Sequence, residues 1–396
     1  MESMGENMKV KFVYAFCAFA AVALLNPFAV RGVWSQEQAD SFSAETQSIE
    51  SPLAADWSKG AHIKNIITLT TEFIDSVEFS PDSQYLLVSA SVGHTGIYNV
   101  ADGSQIAVSK AVCESASRIW LTPDSRYLIA DSYRGPNVWS FPDGNDISTF
   151  RSQTGYYKVL GISNGGKYAV VANTDETVSV FEIPSGSIVC KLNVDMQSIH
   201  KAAFSSDDQY LAVSEFDSTT QIWRVDKWLM TGKVPSDISP EMSFCPGKPY
   251  LLLAGMMATR IWTVPHGAYV TSVQYSGDIS AFDPEGNYFY AGYWDRSPDG
   301  IENSIGLYRI PDGRLLKSYP GHSDRITALS ICTNGWFFAA GSADCMVYIY
   351  YAPTCEVVAE LKYHNAEIEV VVFSPDGRYL ATAGRDGRVI IWEPNA

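Results

Sequence analysis

The sequence predicts an all-β protein, a β-propeller of eight four-stranded blades closed into a ring by a strand from the N-terminal side. Three observations carry this expectation. One phrase recurs through the chain, as FSPDSQYLLV (79–88), FSSDDQYLAV (204–213), FDPEGNYFYA (282–291) and FSPDGRYLAT (373–382). Its copies return about every 42 residues, the period of a propeller blade. Each copy also has one grammar of strand, tight turn, strand, polar turn and aromatic-bearing strand.

Taken in order, the chain opens on a segment of export type. Lys9 and Lys11 precede the apolar run of residues 12–25, and Asn26-Pro27 follows. A basic start, a short apolar core and a polar exit describe a secretory signal peptide. Val33-Trp34-Ser35 before Gln36 is the expected cleavage site. The alternative is an uncleaved membrane anchor, because residues 12–30 are long enough to span a bilayer with little to spare. The domain layout is therefore 1–35 signal or anchor, 36–60 flexible polar linker, and 61–396 propeller.

Eight copies of the phrase are anchored by Tyr85, Tyr127, Tyr168, Tyr210, Tyr250, Tyr288, Phe337 and Tyr379. Before each anchor, Pro, Asp, Gly or an equivalent supplies a tight turn. After each comes an apolar strand, then a third strand with an aromatic, as in Ile222-Trp223 and Ile391-Trp392. The copies at 162–171 and 244–253 are weak; absorbing one elsewhere would leave seven blades. Little chain follows Trp392, so the eighth repeat lacks its fourth strand. Residues 63–69 are expected to supply it, since Ile67 precedes Phe79 by the same 12 residues that separate Leu361 from Phe373. Closing the ring this way removes the open sheet edge.

The eighth repeat carries the residues of a known family. It has His364 before its first strand, Thr382 in the second, Asp386 in the next turn and Trp392 in the third. This resembles the structural tetrad of the WD-repeat family, and the resemblance extends over about residues 61–396. The seventh repeat keeps Gly321-His322 and Asp344 but has Ala340 and Tyr350 in the other places. The chain thus resembles an exported, bacterial member with degenerate repeats. The resemblance implies that the four residues are structural, and that one propeller face holds a protein or peptide.

Lys and Arg number 28 against 44 Asp and Glu, a net charge of −16. An acidic chain without a Lys/Arg run repels phosphate, which argues against a nucleic-acid partner. Outside the leading segment the six cysteines are irregularly spaced and without a Cys-x-x-Cys pair, so they are expected to be buried thiols. Gly161-Ile162-Ser163-Asn164-Gly165 matches a nucleophile elbow, but it sits in a strand-to-strand turn where that motif needs a strand followed by a helix. No catalytic residue and no cofactor is expected. The repeat step from Tyr288 to Phe337 is 49 residues, and the excess falls in YWDRSPDGIENS, residues 293–304. Tyr293, Trp294, Asp295 and Arg296 are the candidate partner-binding residues, a mix enriched at binding hot spots. The same loop has a calcium-like alternation at Asp295, Ser297, Asp299 and Asn303, but Gly306 stands where the closing acid is needed. The functional expectation is a non-enzymatic protein-interaction scaffold. The rivals are an enzyme or small-molecule binder at the channel mouth, and a structural module of the envelope.

Overall fold

The computed structural model describes residues 55–69, 74–90, 95–106, 118–131, 136–150, 157–173, 177–194, 199–215, 219–236, 241–255, 257–274, 279–293 and 302–395. The chain separates into two units, residues 1–49 and 50–396, and the first lies wholly outside the described residues, with the expected signal or anchor. The second unit is all-β, eight antiparallel sheets in a ring, as the repeats predict.

Blade 1 is built from Ile74–Phe79, Tyr85–Ala90 and Gly96–Asn99, with a bridge from Tyr98 to Gln105 marking its fourth edge. The other seven sheets have four strands each. Blades 2 to 7 are contiguous in sequence, at residues 119–149, 157–192, 199–235, 241–274, 280–319 and 326–361. Blade 8 is not. Its three inner strands are Ile368–Phe373, Leu380–Gly384 and Arg388–Pro394, and its outermost strand is Ala61–Thr68. That strand pairs antiparallel with Arg388–Pro394, from Ala61 opposite Pro394 to Thr68 opposite Arg388. The expected closing strand is therefore present.

The turn chemistry of the repeated phrase explains the strands it separates. All eight first turns hold one residue in the left-handed region: Ser83, Ser125, Gly166, Asp208, Gly247, Gly286, Gly335 and Gly377. Glycine suits that backbone because a Cβ would crowd the following carbonyl. The residue that opens the turn is buried and holds it closed. Ser80 Oγ donates to Asp82 (2.5 Å) and accepts from the Tyr85 amide (2.9 Å). Thr122, Ser205 and Ser374 repeat both bonds.

The second strand of each blade is mostly apolar and buried because both its faces are covered. Leu86 and Val88 pack toward blade 8, with Ala381, Val389 and Ile391, while Leu87 packs toward blade 2, with Leu121 and Leu128. The core is thus a set of layers between blades rather than one central mass. The first strands of the repeats lie innermost, and those of blades 1 and 8 touch, which closes the ring. Antiparallel order then fixes two faces. The first-to-second and third-to-fourth turns share one, the turn face. The second-to-third turns and the connections between blades share the other, the connection face.

One expected boundary moves. Residues 36–60 were expected to be a flexible linker, yet Trp57 is 0% exposed in a short 3-10 turn, Trp57–Lys59. Its ring meets Phe373 edge-on at 5.5 Å, and its Nε1 donates to the Gly377 carbonyl at 3.0 Å. Burial of so large an apolar ring outweighs the polar composition around it. The packed domain begins by residue 55.

Candidate functional site

The tetrad residues of blade 8 form one hydrogen-bonded chain. Trp392 Nε1 donates to Thr382 Oγ1 at 3.0 Å, Thr382 Oγ1 lies 2.9 Å from His364 Nε2, and His364 Nδ1 lies 3.0 Å from Asp386. Neutral His364 satisfies every member, accepting from Thr382 at Nε2 and donating to Asp386 from Nδ1. Burial pushes the His364 imidazole below its usual value, and Asp386 pulls the other way without reversing the shift. Each of the four side chains bonds another of the set, and Asp386 also accepts the Asn365 and Arg388 amides at 3.2 Å.

Cross-strand register explains what happens in the other blades. Thr382 pairs with Ile390, two residues before Trp392. The same place is Ala130 in blade 2, Val213 in blade 4 and Leu253 in blade 5, opposite Asn137, Gln221 and Arg260. None has a hydroxyl. Accordingly Trp139 Nε1, Trp223 Nε1 and Trp262 Nε1 are buried with no hydrogen-bond partner among the described residues. Blade 7 is halfway. His322 Nδ1 reaches Asp344 at 3.0 Å, but Ala340 stands in the hydroxyl's place and His322 Nε2 is left without a partner. Burial pushes the Asp344 carboxyl up, and His322 with the Ser323 and Met346 amides outweighs it, so the group is held below the usual range.

Near the channel, the connection face carries a set of ion pairs that cross from blade to blade. Arg118, at the connection end of blade 2, reaches along the inner strands to Glu78, near the turn end of the first strand of blade 1, at 3.1 Å. Lys201 of blade 4 pairs with Glu241 of blade 5, and Arg325 of blade 7 with Glu367 of blade 8. Arg385 extends the last pair, binding Glu367 at 2.8 Å and Glu369 at 3.0 Å, and Glu369 accepts the Ile74 amide of blade 1 at 3.2 Å. Lys158, on the inner strand of blade 3, is exposed. These residues ring the channel mouth with both signs of charge.

The turn face is different, because many of its polar groups serve turns, their own or the next blade's. Ser163, the residue of the elbow-like motif, is 0% exposed and accepts the Lys167 and Tyr168 amides at 3.0 and 2.9 Å. Asp208 accepts the Asn164 and Gly165 amides of the neighbouring turn at 2.7 and 2.6 Å. Cys245 and Cys332 replace serine as turn openers in blades 5 and 7 and are buried. Burial, with the Asp283 charge, pushes the Cys245 thiol up to about 12, and burial pushes Cys332 up as well. The described residues hold no group of three or more His, Cys, Asp or Glu placed to bind a metal.

The loop expected to bind a partner is only partly in view. Trp294, Asp295 and Arg296, and the calcium-like stretch through residue 301, lie outside the described residues. Tyr293 is a correction. It is 1% exposed and packs with Leu252, Phe282 and Phe289 between blades 5 and 6. Its amide donates to the Ser304 carbonyl at 3.0 Å, which prolongs the ladder of the blade 6 hairpin and keeps the ring indoors.

Three features escaped sequence reasoning. Trp57 is a lone large aromatic in a polar stretch, and that isolation was its only signal. Glu215 is 0% exposed, held by Gln221, by Thr219 at 3.0 Å and by Lys233 at 3.7 Å. The interblade ion pairs had a plain signal: the partners of Glu78–Arg118 and Lys201–Glu241 are 40 residues apart and those of Arg325–Glu367 are 42, about one repeat.

The WD domain, G-beta repeat family model matches residues 313–350 and 355–393. The LEC14B protein of Lithospermum erythrorhizon is 21% identical over 80% of this chain and 72% of its own length. The serine-threonine kinase receptor-associated protein of Mus musculus is 24% identical over 69% of this chain and 77% of its own. Autophagy-related protein 16 of Arabidopsis thaliana is 20% identical over 55% and 43%. Among solved structures, the computationally designed Ika8 protein superposes with a TM-score of 0.70 at 16% identity, covering 84% of this chain and all of that one, a likeness of fold alone. These likenesses support a WD-repeat propeller, a class that generally binds protein partners.

Proposed function

We propose that this chain is an exported protein-interaction scaffold that holds a protein or peptide partner on its connection face. The observation that carries this reading is the different use of polar groups on the two faces. On the turn face, many carboxylates and hydroxyls are spent on capping turns, their own or a neighbour's. On the connection face, charges of both signs pair across blades, and Lys158 stands exposed, its charge acting on Asp75 of blade 1. Exposed charges of both signs around a rigid rim steer and orient a partner. The likeness to WD-repeat proteins supports the same role by analogy of fold and repeat.

Export rests on the basic, apolar and polar succession of residues 9–35. Protein recovered from cells should begin at Gln36. An N-terminus upstream of the apolar run, in a membrane fraction, would instead favour the anchor.

The scaffold is tested by crosslinking capture from native cell envelope with the chain from Gln36 onward as bait. The expected result is a partner whose yield drops with Lys158→Glu and holds with Lys227→Glu on the turn face. The reverse pattern would overturn the assignment of the face. Capture of no protein by folded bait would overturn the scaffold reading itself.

A further inference from the structure

Blade 8 is the one sheet of the ring whose strands come from both ends of the propeller, and two separate side-chain locks converge on it. One is the tetrad, complete here and interrupted in blades 2, 4, 5 and 7. Trp392, its indole member, pairs directly with Ile63 of the closing strand. The other lock stands just upstream of that strand. Trp57 is sealed between blades 7 and 8, against Trp336, Tyr351 and Val358 and the edge of Phe373. Its indole N–H bonds the Gly377 carbonyl in the first turn of blade 8.

Between Trp57 and the strand, the chain is tied to the far end of the propeller. The Asn395 amide donates to the Gly60 carbonyl at 3.0 Å, and Asn395 Nδ2 donates to the Lys59 carbonyl at 2.9 Å. Asp56 caps the 3-10 turn through the Ser58 amide at 3.0 Å, and Gly60, at φ 85°, turns the chain into the strand. Ala61 opposite Pro394 is the end from which the closing strand would peel. The lock therefore sits at the first pair to break, where fraying of a strand starts.

We infer that Trp57, Lys59, Gly60 and Asn395 form a seam lock, a strap that governs local opening of the ring rather than its global stability. Release of the strap frees Ala61–Thr68 from Arg388–Pro394 and exposes the unpaired edge of the latter, with Val389 and Ile391 beside it. The other blades are contiguous in sequence and lack such a seam, so opening at blade 8 leaves their pairing in place. Sub-global opening of this kind is a separate event from unfolding.

Native-state hydrogen exchange on the folded propeller tests the lock. Trp57→Ala should speed exchange of the amides in residues 61–68 by at least about tenfold, with the second strands of blades 3 to 5 unchanged, because only local opening is affected. Asn395→Ala removes the side-chain tie to Lys59 and the Oδ1 contact with His62 at 3.1 Å, leaves the backbone tie to Gly60, does not touch the core, and should act on the same segment in the same direction. It serves where the Trp57 variant fails to fold. Exchange in residues 61–68 that stays at the original rate in Asn395→Ala, or that rises equally across all blades in either variant, would overturn the proposal.

Discussion

At the scale of single residues, buried polar groups decide more than the exposed charges do. Thr382 satisfies His364 and Trp392 at once, so Thr382→Val, nearly isosteric, strands two buried groups. The expected loss is about 2–4 kcal/mol, the desolvation cost of two unpaired donors or acceptors, read from denaturant unfolding. His364 sets a pH dependence. Its folded-state pKa lies below the usual value, so the unfolded chain binds the proton more readily. Stability from this group is complete above about pH 6.5, the ordinary imidazole value. It should fall as the pH drops through that value toward the lowered one. A melting temperature that stays flat from neutral pH to pH 5 would contradict this. Cys245 and Cys332 are the other buried titratable groups of note. Thiols raised by burial are poor nucleophiles, so neither should react with an alkylating reagent at pH 8 until the chain is unfolded.

At the scale of the turn and the strand, the sequence was most legible. The phrase around each anchor aromatic works because a hydroxyl, an Asp and a left-handed residue recur at fixed places, and those are local demands. The weak copies at 162–171 and 244–253 form blades as sound as the strong ones, since Ser163 and Cys245 fill the opening position and Gly166 and Gly247 the left-handed one. Ser125 holds the left-handed place without glycine and makes no side-chain bond among the described residues. Ser125→Gly should therefore stabilise the protein by about 0.5–1 kcal/mol, relief of backbone strain less the entropy of glycine. Ser163→Ala should cost about 1–3 kcal/mol, the worth of the two hydrogen bonds its hydroxyl accepts. Tyr293 shows where local reading fails. Beside Trp294 and Asp295 it looks like part of a binding loop, but the strand ladder runs one residue further and takes it into the core.

For the whole molecule, the ring and its blade count followed from the period, and the closing strand from spacing. What could not be read were contacts between segments far apart in the chain. Trp57 finds Gly377 across 320 residues, and nothing in its polar surroundings announces a pocket. The interblade ion pairs were readable in principle, since opposite charges one repeat apart fall on adjacent blades. The net charge of −16 also acquires a cause: many of the acids are Asp in turns, where the carboxylate caps backbone amides. Acidity here is in part a by-product of making so many turns.

The claim that most needs testing is that a protein partner sits on the connection face. Lysines report on both faces: Lys158 and Lys201 on that face, Lys167, Lys227 and Lys248 on the turn face. The decisive measurement is amine crosslinking of the captured complex followed by mass spectrometric mapping. The expected result is links to the partner from Lys158 and Lys201 and protection of these two from free reagent. Links concentrated on Lys167, Lys227 and Lys248, with Lys158 still open to reagent, would contradict it.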